Sequence, residues 1–163
     1  MKKKKIIITG DSGRGKSTLA QKLSKKLNIK HYSTDDFLWK TKYSEMEDKK
    51  LAEKNIGEIY KGDEWIVEGG SMRMLEAGLE GSDLIIYLGF DNILLQYLAL
   101  IKRSLKRRSE TINEFCFQMR HIFYKRYKLG YKKGVLTMLE TLEPHKHKVI
   151  ELNSYKQIDA FEL

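Results

Sequence analysis

The chain has very little cysteine and proline, with one of each among its 163 residues. A single Cys116 cannot form a disulfide within the chain, and this favours a reducing compartment. We therefore expect a cytoplasmic protein in which Cys116 packs as a small apolar residue of the core.

Long apolar runs are also missing. No window approaches the roughly 18 apolar residues that a membrane span requires. The lysines at the start of MKKKKIIITG are followed by only three isoleucines, whereas the apolar region of an export signal has roughly 7–15 residues. This stretch is therefore predicted to be a first strand flanked by lysines.

The remaining composition is that of a folded domain. Hydrophobic residues make up 41 % of the chain and charged residues 33 %, which is typical of a helix-rich globular protein. We expect one domain over residues 1–163. Basic charge is concentrated in residues 101–148, which carry thirteen Lys and Arg against four Glu, while the rest of the chain is balanced. Such a segment either binds an anion or is a solvated helix face, and the solvated face is the commoner case.

Strand and helix patterns alternate along the chain. Apolar and β-branched runs predict strands at 5–9, 30–33, 64–67, 83–88 and 148–152. Helical spacing predicts helices at 16–27, 45–60, 72–77, 92–108, 111–142 (bent near Gly130 and Gly134) and 155–161. This alternation predicts an α/β fold with a parallel sheet of about five strands between two helical layers. We expect the strand at 83–88 at the sheet centre.

The clearest motif is GDSGRGKS at residues 10–17, which satisfies the P-loop pattern G-x-x-x-x-G-K-[ST] between a strand and a helix. Its glycines let backbone amides converge on an anion, and the helix adds its N-terminal dipole. Lys16 can reach β- and γ-phosphate oxygens, and the Ser17 hydroxyl can bind Mg²⁺. Two positions remain open for the Arg14 side chain: it lies over the donor base, or it faces water. The candidate nucleotide-binding residues are Gly10, Asp11, Ser12, Gly13, Arg14, Gly15, Lys16, Ser17 and Thr18.

Acidic residues follow two of the predicted strands. Asp35 comes after the second strand and Glu68 after the third, and in a parallel sheet both ends face the same crevice as the loop. Asp35 or Glu68 can order Mg²⁺ or accept the proton of an attacking hydroxyl, so the metal-ligand candidates are Ser17, Asp35 and Glu68. Arg73 can clamp an anionic acceptor. Gly69 and Gly70 are expected to let the acceptor approach the backbone.

The helix predicted at 92–108 ends in a cluster of basic residues. Arg103 and Arg107 share one face and could neutralise charge on a transferred phosphoryl group. Positive charge at a helix end is equally explained by the helix dipole. Arg120, Lys125 and Arg126 form a second, weaker candidate set. The segment around 102–135 is thus predicted to be a basic, lid-like helical region.

Four segments together resemble a known group. They are the loop, YSTDDFLWK at 32–40, EWIVEG at 64–69 with Arg73, and the basic residues from Lys102 to Arg108. They look like the adenylate-kinase-like P-loop proteins called DNA topology modulation protein FlaR. The resemblance implies a nucleoside-monophosphate-kinase fold that uses ATP and Mg²⁺, with Asp35 at a site position and Glu68-Gly69 where the group usually has Asp-Gly. Glu68 is one methylene longer, and GFDN at 89–92 lacks the acid and the Pro-Arg often found there.

Two functional hypotheses follow. The first is an enzyme, a P-loop kinase that passes the γ-phosphoryl of ATP to a nucleotide, nucleoside or other small hydroxyl compound. The second is a nucleotide-dependent regulator or DNA-associated ATPase that uses the basic half as a nucleic-acid surface, although no zinc, homeodomain or RNP pattern supports it. A GTPase switch is disfavoured because Asn-Lys-x-Asp is missing. The sequence leaves the acceptor open and allows a monomer or a homodimer.

Overall fold

Seven strands and eight α-helices are present in the part of the chain that the computed structural model describes, residues 4–41, 45–106, 112–127, 129 and 136–163. The strands are β1 (Lys5–Gly10), β2 (His31–Ser33), β3 (Trp39–Thr41), β4 (Glu45–Met46), β5 (Trp65–Glu68), β6 (Leu84–Leu88) and β7 (Val149–Leu152). The helices are α1 (Lys16–Leu27), α2 (Thr34–Leu38), α3 (Lys49–Tyr60), α4 (Met72–Leu79), α5 (Ile93–Lys106), α6 (Ile112–Arg126), α7 (Met138–Leu142) and α8 (Tyr155–Ala160). A 3-10 helix, Glu143–Lys148, leads into β7.

Five of the strands form one parallel sheet in the order β2-β5-β1-β6-β7. The predicted five-stranded parallel sheet is therefore confirmed. The prediction that the strand at 83–88 lies at the centre is wrong, because β1 takes that place and β6 lies beside it. Both strands are almost completely buried, so an apolar run indicated burial without indicating strand order. The strands β3 and β4 form a separate antiparallel pair.

Helices cover both faces of the sheet, as expected for a three-layer αβα fold. On one face Ile6 and Ile8 pack with Leu19 and Leu23 of α1. On the other face the core contains Ile7 of β1 and residues of α3, α4 and α7, among them Ile56, Leu75 and Met138. The alternating side chains of β1 thus contribute to both cores, which holds the end of β1, and the loop after it, in place.

Two predicted helices differ from the observed ones at their ends. The helix predicted from residue 45 begins at Lys49, because the Asp48 carboxylate accepts a hydrogen bond from the amide of Leu51 and caps it. Residues 45 and 46 belong to β4 instead. The helix predicted over 111–142 is observed as α6 and α7, and the bend predicted near Gly130 and Gly134 lies outside the described residues.

The helix α5 has an exposed apolar stripe. Leu94 is 63 % exposed and Leu105 is 80 % exposed, and Leu98 and Ile101 are exposed as well. The buried side of α5 carries Leu100 and a polar residue, Gln96. The spacing predicted an amphipathic helix correctly, but periodicity does not indicate what the apolar side packs against.

The structure tests the expected burial of Cys116 and the expected absence of a membrane span. Cys116 is exposed on α6, so the prediction that it packs in the core is wrong. No helix in the described part of the chain is both long and apolar enough to cross a membrane.

Candidate active site

The loop between β1 and α1 has the backbone of a phosphate cradle. Gly10, Gly13 and Gly15 all have positive φ angles, of 126°, 85° and 93°. At Gly10 a side chain is excluded outright, since a Cβ would lie 2.2 Å from the carbonyl oxygen of Leu88. The helix α1 begins directly after Gly15, so the amides of its first turn point toward the loop, where they can bind an anion.

Lys16 reaches back across this loop. Its Nζ donates to the carbonyl oxygen of Gly10 at 3.1 Å and to that of Asp11 at 2.9 Å. The ammonium group is therefore held beside the first residues of the loop, where it can meet phosphate oxygens.

Asp11 ties the loop to the turn after β6. Its amide donates to the carbonyl oxygen of Leu88 at 2.8 Å, and its Oδ2 accepts from the amide of Phe90 at 2.9 Å. Both groups are thus used within the protein. The predicted contact of Asp11 with a nucleotide stays a prediction, and its visible contribution is to fix the loop on the neighbouring strand.

Arg14 is buried beside two aromatic rings. Its guanidinium lies 4.1 Å from the ring centroid of Phe90 and 4.6 Å from that of Tyr155, and it donates to the carbonyl oxygen of Asn153. The Tyr155 hydroxyl in turn donates to the carbonyl oxygen of Gly13 at 3.2 Å. Arg14 is 3 % exposed, so the alternative in which it faces water is wrong, because cation–π contacts hold it inside. Its contact with a donor base stays a prediction.

Ser17 and Glu68 lie side by side at the loop. The Ser17 hydroxyl donates to Glu68 Oε1 at 2.9 Å, and Glu68 is 5 % exposed at the end of β5. Hydroxyl and carboxylate oxygens are suitable Mg²⁺ ligands, and Mg²⁺ keeps several waters and substrate phosphates as its other ligands. Among the described residues no group of three or more His, Cys, Asp or Glu could hold a metal. The residues present fit Mg²⁺ bound together with a nucleotide.

Asp35 lies in the first turn of α2, where the sequence predicted only a strand end. Its amide lies 3.4 Å from the hydroxyl oxygen of Ser33, and its half-buried side chain lines a cavity next to the loop. Of the three predicted metal ligands, the structure joins Ser17 and Glu68 by a hydrogen bond and places Asp35 on the cavity wall.

The two glycines after Glu68 have different surroundings. A Cβ at Gly69 would lie 1.8 Å from Oγ1 of Thr34, so Gly69 allows the chain after β5 to pack against the start of α2. A Cβ at Gly70 would meet nothing within 4 Å, and Gly70 lines the cavity. The expectation that both glycines leave room for an acceptor is therefore wrong for Gly69, whose space is taken by Thr34.

Two of the three predicted arginines, Arg73 and Arg103, do not line the cavity. Arg73 on α4 donates from Nε to Oε1 of Glu53 and its side chain is 61 % exposed. Arg103 donates to Oε1 of Gln118 at 2.6 Å, which joins α5 to α6. Arg107 lies outside the described residues. A role of these three arginines in binding or transfer stays a prediction.

The cavity has a volume of about 730 Å³ and lies at the carboxyl ends of the strands. Five residues of the cavity wall were predicted from the sequence to belong to the site: Gly10, Asp11, Ser12, Asp35 and Gly70. Sequence reasoning missed further polar residues of its wall, which are Tyr87, Asp91, Gln96, His121, Thr137, Glu151 and Asn153. Arg126, from the weaker candidate set, lines it too.

Some of the missed residues could have been found by the same rule that found Asp35. Asn153 directly follows β7, and Tyr87 and Glu151 lie near the carboxyl ends of β6 and β7. Ligands in a parallel sheet bind at these ends, and the rule had been applied to the second and third strands only. His121 lies on α6 and does not follow a strand, so this rule gives no signal for it.

Tyr87 lies close to charged groups of the cavity wall, and these shift its pKa. Burial, together with the carboxylates of Asp11 and Glu151, raises the pKa of the Tyr87 hydroxyl to about 12, while Arg126 acts in the opposite direction. The phenol is therefore a hydrogen-bond donor at neutral pH.

The chain resembles known proteins in sequence. No protein-family profile matches the chain. A protein of Pyrococcus furiosus named "Putative adenylate kinase" is 28 % identical over 154 residues, which cover 91 % of this chain and 74 % of that protein. A Bacillus subtilis protein, "Uncharacterized protein YqaC", is 34 % identical over 90 residues, covering 53 % of this chain and 49 % of that protein.

Solved structures resemble the chain over almost its whole length. A gluconokinase from Sinorhizobium meliloti 1021 aligns with a TM-score of 0.56 and 12 % identity, covering 96 % of this chain and 85 % of the other. A shikimate kinase from Acinetobacter baumannii in complex with shikimate aligns with a TM-score of 0.55 and 15 % identity, covering 96 % and 87 %. The chain has the fold of P-loop kinases.

Proposed function

We propose that the protein is a P-loop kinase that transfers the γ-phosphoryl group of ATP, with Mg²⁺, to a hydroxyl of a small molecule. One observation carries this proposal. Gly10, Asp11 and Ser12 of the phosphate loop form part of the wall of the same cavity into which Asp35 contributes a carboxylate. A donor site and an acceptor-sized space thus share one wall, as transfer between two bound molecules requires.

The residues of the site have distinct roles in this proposal. The backbone of the loop from Gly13 to Thr18 and the ammonium of Lys16 bind the donor phosphates. Ser17 and Glu68 hold Mg²⁺, which neutralises charge on the phosphates when bound. Asp35 or Glu68 accepts the proton of the attacking hydroxyl.

Several sequence predictions remain part of this proposal. They are the FlaR-like relationship, a single domain over 1–163 with a basic lid-like segment around 102–135, a cytoplasmic location, and a monomer or homodimer. The names of the P. furiosus relative and of the structural neighbours support phosphoryl transfer to a small molecule. A contribution of Arg73, Arg103 and Arg107 to the transfer stays part of this proposal.

The DNA-associated alternative has less support. Two of the described basic residues in 101–148 bind protein carbonyl groups: Arg126 those of Phe90 and Asp91, and Lys148 those of Glu80 and Ser82. Part of the basic surplus therefore holds the fold together.

The experiment is acceptor-dependent ADP formation. The protein is incubated with ATP, Mg²⁺ and a panel of nucleosides, nucleotides, sugars and hydroxy acids, and ADP is measured. The proposal expects at least one acceptor to accelerate ADP formation, and Lys16→Ala to abolish the acceleration, whereas Lys25→Ala, an exposed lysine of the same helix, retains it. ATP turnover that no acceptor changes would contradict the proposal.

A further inference from the structure

The charged residues of the cavity indicate what kind of acceptor it can hold. Among its described lining residues are four carboxylates, those of Asp11, Asp35, Asp91 and Glu151, and a single arginine, Arg126. We propose that the acceptor is an uncharged polyhydroxyl compound, of the nucleoside or sugar class, and that phosphate monoesters and carboxylates are rejected. This inference rests on the proposed function, because it names the acceptor of that same site.

Arg126, the arginine among the described residues of the cavity wall, already has partners. Nη1 of Arg126 donates to the carbonyl oxygen of Phe90 at 2.9 Å, and Nη2 donates to that of Asp91 at 2.7 Å. These bonds fix the turn between β6 and α5. Arg126 thus already binds two backbone carbonyl groups, and an anionic group would have to share its guanidinium with them.

The other arginines in the described ranges are held elsewhere. Arg14 lies against Phe90 and donates to Asn153, and Arg73 donates to Glu53. The remaining two, Arg103 and Arg120, do not line the cavity either. Among the described lining residues the carboxylates therefore outnumber the basic groups, Arg126 and His121, and like charges in one site disfavour binding of an anionic acceptor.

The same charged groups act on Tyr87. The carboxylates of Asp11 and Glu151 raise the pKa of its hydroxyl beyond what burial alone does, even though Arg126 opposes them. The potential at this part of the wall is therefore negative in sum.

The same wall suits a compound with several hydroxyl groups. Carboxylates accept hydrogen bonds from hydroxyls, and the amides of Gln96 and Asn153 add groups that both donate and accept. Apolar side chains, among them Ile122 and Met138, complete the lining. A volume of about 730 Å³ falls within the range of small-molecule sites.

Transfer to such an acceptor forms one bond to phosphorus and breaks another. The acceptor hydroxyl oxygen forms a bond to the γ-phosphorus of ATP, and the bond from this phosphorus to the β–γ bridging oxygen breaks. The electron pair of the broken bond leaves with ADP. The hydroxyl proton passes to a carboxylate of the site, for which Asp35 is placed on the cavity wall.

The test compares acceptors in matched pairs that differ in one charged group. Adenosine is paired with AMP, cytidine with CMP, uridine with UMP, thymidine with dTMP and glucose with gluconate, and the phosphorylated product is identified by mass. We expect the uncharged member of the best pair to have a kcat/KM at least about 10-fold higher than its charged partner. A higher kcat/KM for AMP, another monophosphate or gluconate would overturn the inference.

A second measurement separates this inference from the proposed function. Thermal stabilisation by each member of a pair is measured with ADP and Mg²⁺ present, which reports binding without transfer. If no pair member is phosphorylated, the proposed function fails, yet stabilisation by uncharged members alone still supports the inference. Greater stabilisation by the charged members, or by neither, overturns it.

A charge variant tests whether the carboxylates of the cavity wall cause the preference for uncharged acceptors. Glu151→Lys replaces an exposed carboxylate of the wall by a cation, so we expect the preference for the uncharged member to fall at least about 5-fold. Glu76→Lys makes the same change on an exposed site of α4 that does not line the cavity and should leave the preference unaltered. Equal effects of the two substitutions would contradict the assignment of the preference to the cavity wall.

Discussion

The hydroxyl of Ser17 donates a hydrogen bond to Glu68 Oε1 at 2.9 Å, and the two residues are 51 positions apart in the sequence. Their meeting follows from the parallel pairing of β1 with β5, in which Ile8 lies opposite Glu68. The carboxyl end of β5 is thereby brought to the start of α1. This pair is the structural basis of the proposed Mg²⁺ site.

Glu68→Gln tests that site. The amide keeps the size of the side chain and a hydrogen bond to Ser17 but removes the negative charge, so we expect the Mg²⁺ concentration that gives half-maximal transfer to rise by about 10- to 100-fold. Glu68→Asp keeps the charge and shortens the side chain by one methylene, and it should have a smaller effect. A Mg²⁺ dependence identical in the wild type and Glu68→Gln would rule out a metal role for Glu68.

Arg14 is predicted to stabilise the fold. Because it is buried against Phe90 and Tyr155, Arg14→Ala should lower the free energy of unfolding by about 1–3 kcal/mol, through lost cation–π contacts and a lost hydrogen bond. The control Arg73→Ala removes an exposed ion pair with Glu53 and should cost no more than about 1 kcal/mol. Urea unfolding measures the free energy of unfolding of both variants. An equal decrease in the two would contradict a stabilising role of the buried Arg14.

Gly69 and Gly70 provide a matched pair of substitutions. Gly69→Ala places a methyl group against Thr34 and should lower the free energy of unfolding by about 1–3 kcal/mol. Gly70→Ala meets no neighbour and should change it little. In the double variant Gly69→Ala/Thr34→Ala the two effects should not add, because the residues are in contact. Additive effects in urea unfolding would show that the clash lies elsewhere.

The elements that sequence could predict are those whose signals are local. The strand β1, the loop and α1 follow one another directly, and the three glycines of the loop have the positive φ angles that their positions predicted. Asp35 and Glu68 were found because a parallel sheet brings its strand ends together. These inferences need only the order of elements along the chain.

The features that sequence did not predict depend on contacts between distant segments. The exposed Leu94 and Leu105 and the buried Gln96 on α5 reflect how this helix is rotated against the sheet. Arg14 was left with two alternatives because its partners, Phe90 and Tyr155, lie about half a chain or more away. Periodicity and spacing contain no information on such pairings.

Ionisation of Tyr87 is predicted to lower the stability of the fold at alkaline pH. Burial, together with the carboxylates of Asp11 and Glu151, raises its pKa to about 12 in the folded chain, whereas an unfolded tyrosine has a pKa of about 10. The unfolded state therefore ionises first, and the free energy of unfolding should fall between about pH 10 and pH 12. The fall should be smaller in Tyr87→Phe, and part of the remainder comes from Tyr60, whose pKa burial also raises. Urea unfolding across this range would contradict the prediction if Tyr87→Phe and wild type lost stability equally.

The most direct measurement follows the terminal phosphoryl group itself. Wild-type protein, Lys16→Ala and Lys25→Ala are incubated with ATP labelled in its γ-phosphoryl, Mg²⁺ and the acceptor panel, and the label is traced by mass. The account predicts that label appears in a hydroxyl compound with the wild type and Lys25→Ala, and that Lys16→Ala slows this at least about 100-fold, because the ammonium that stabilises the transferred charge is lost. Label found only in inorganic phosphate, or transfer undiminished in Lys16→Ala, would contradict it.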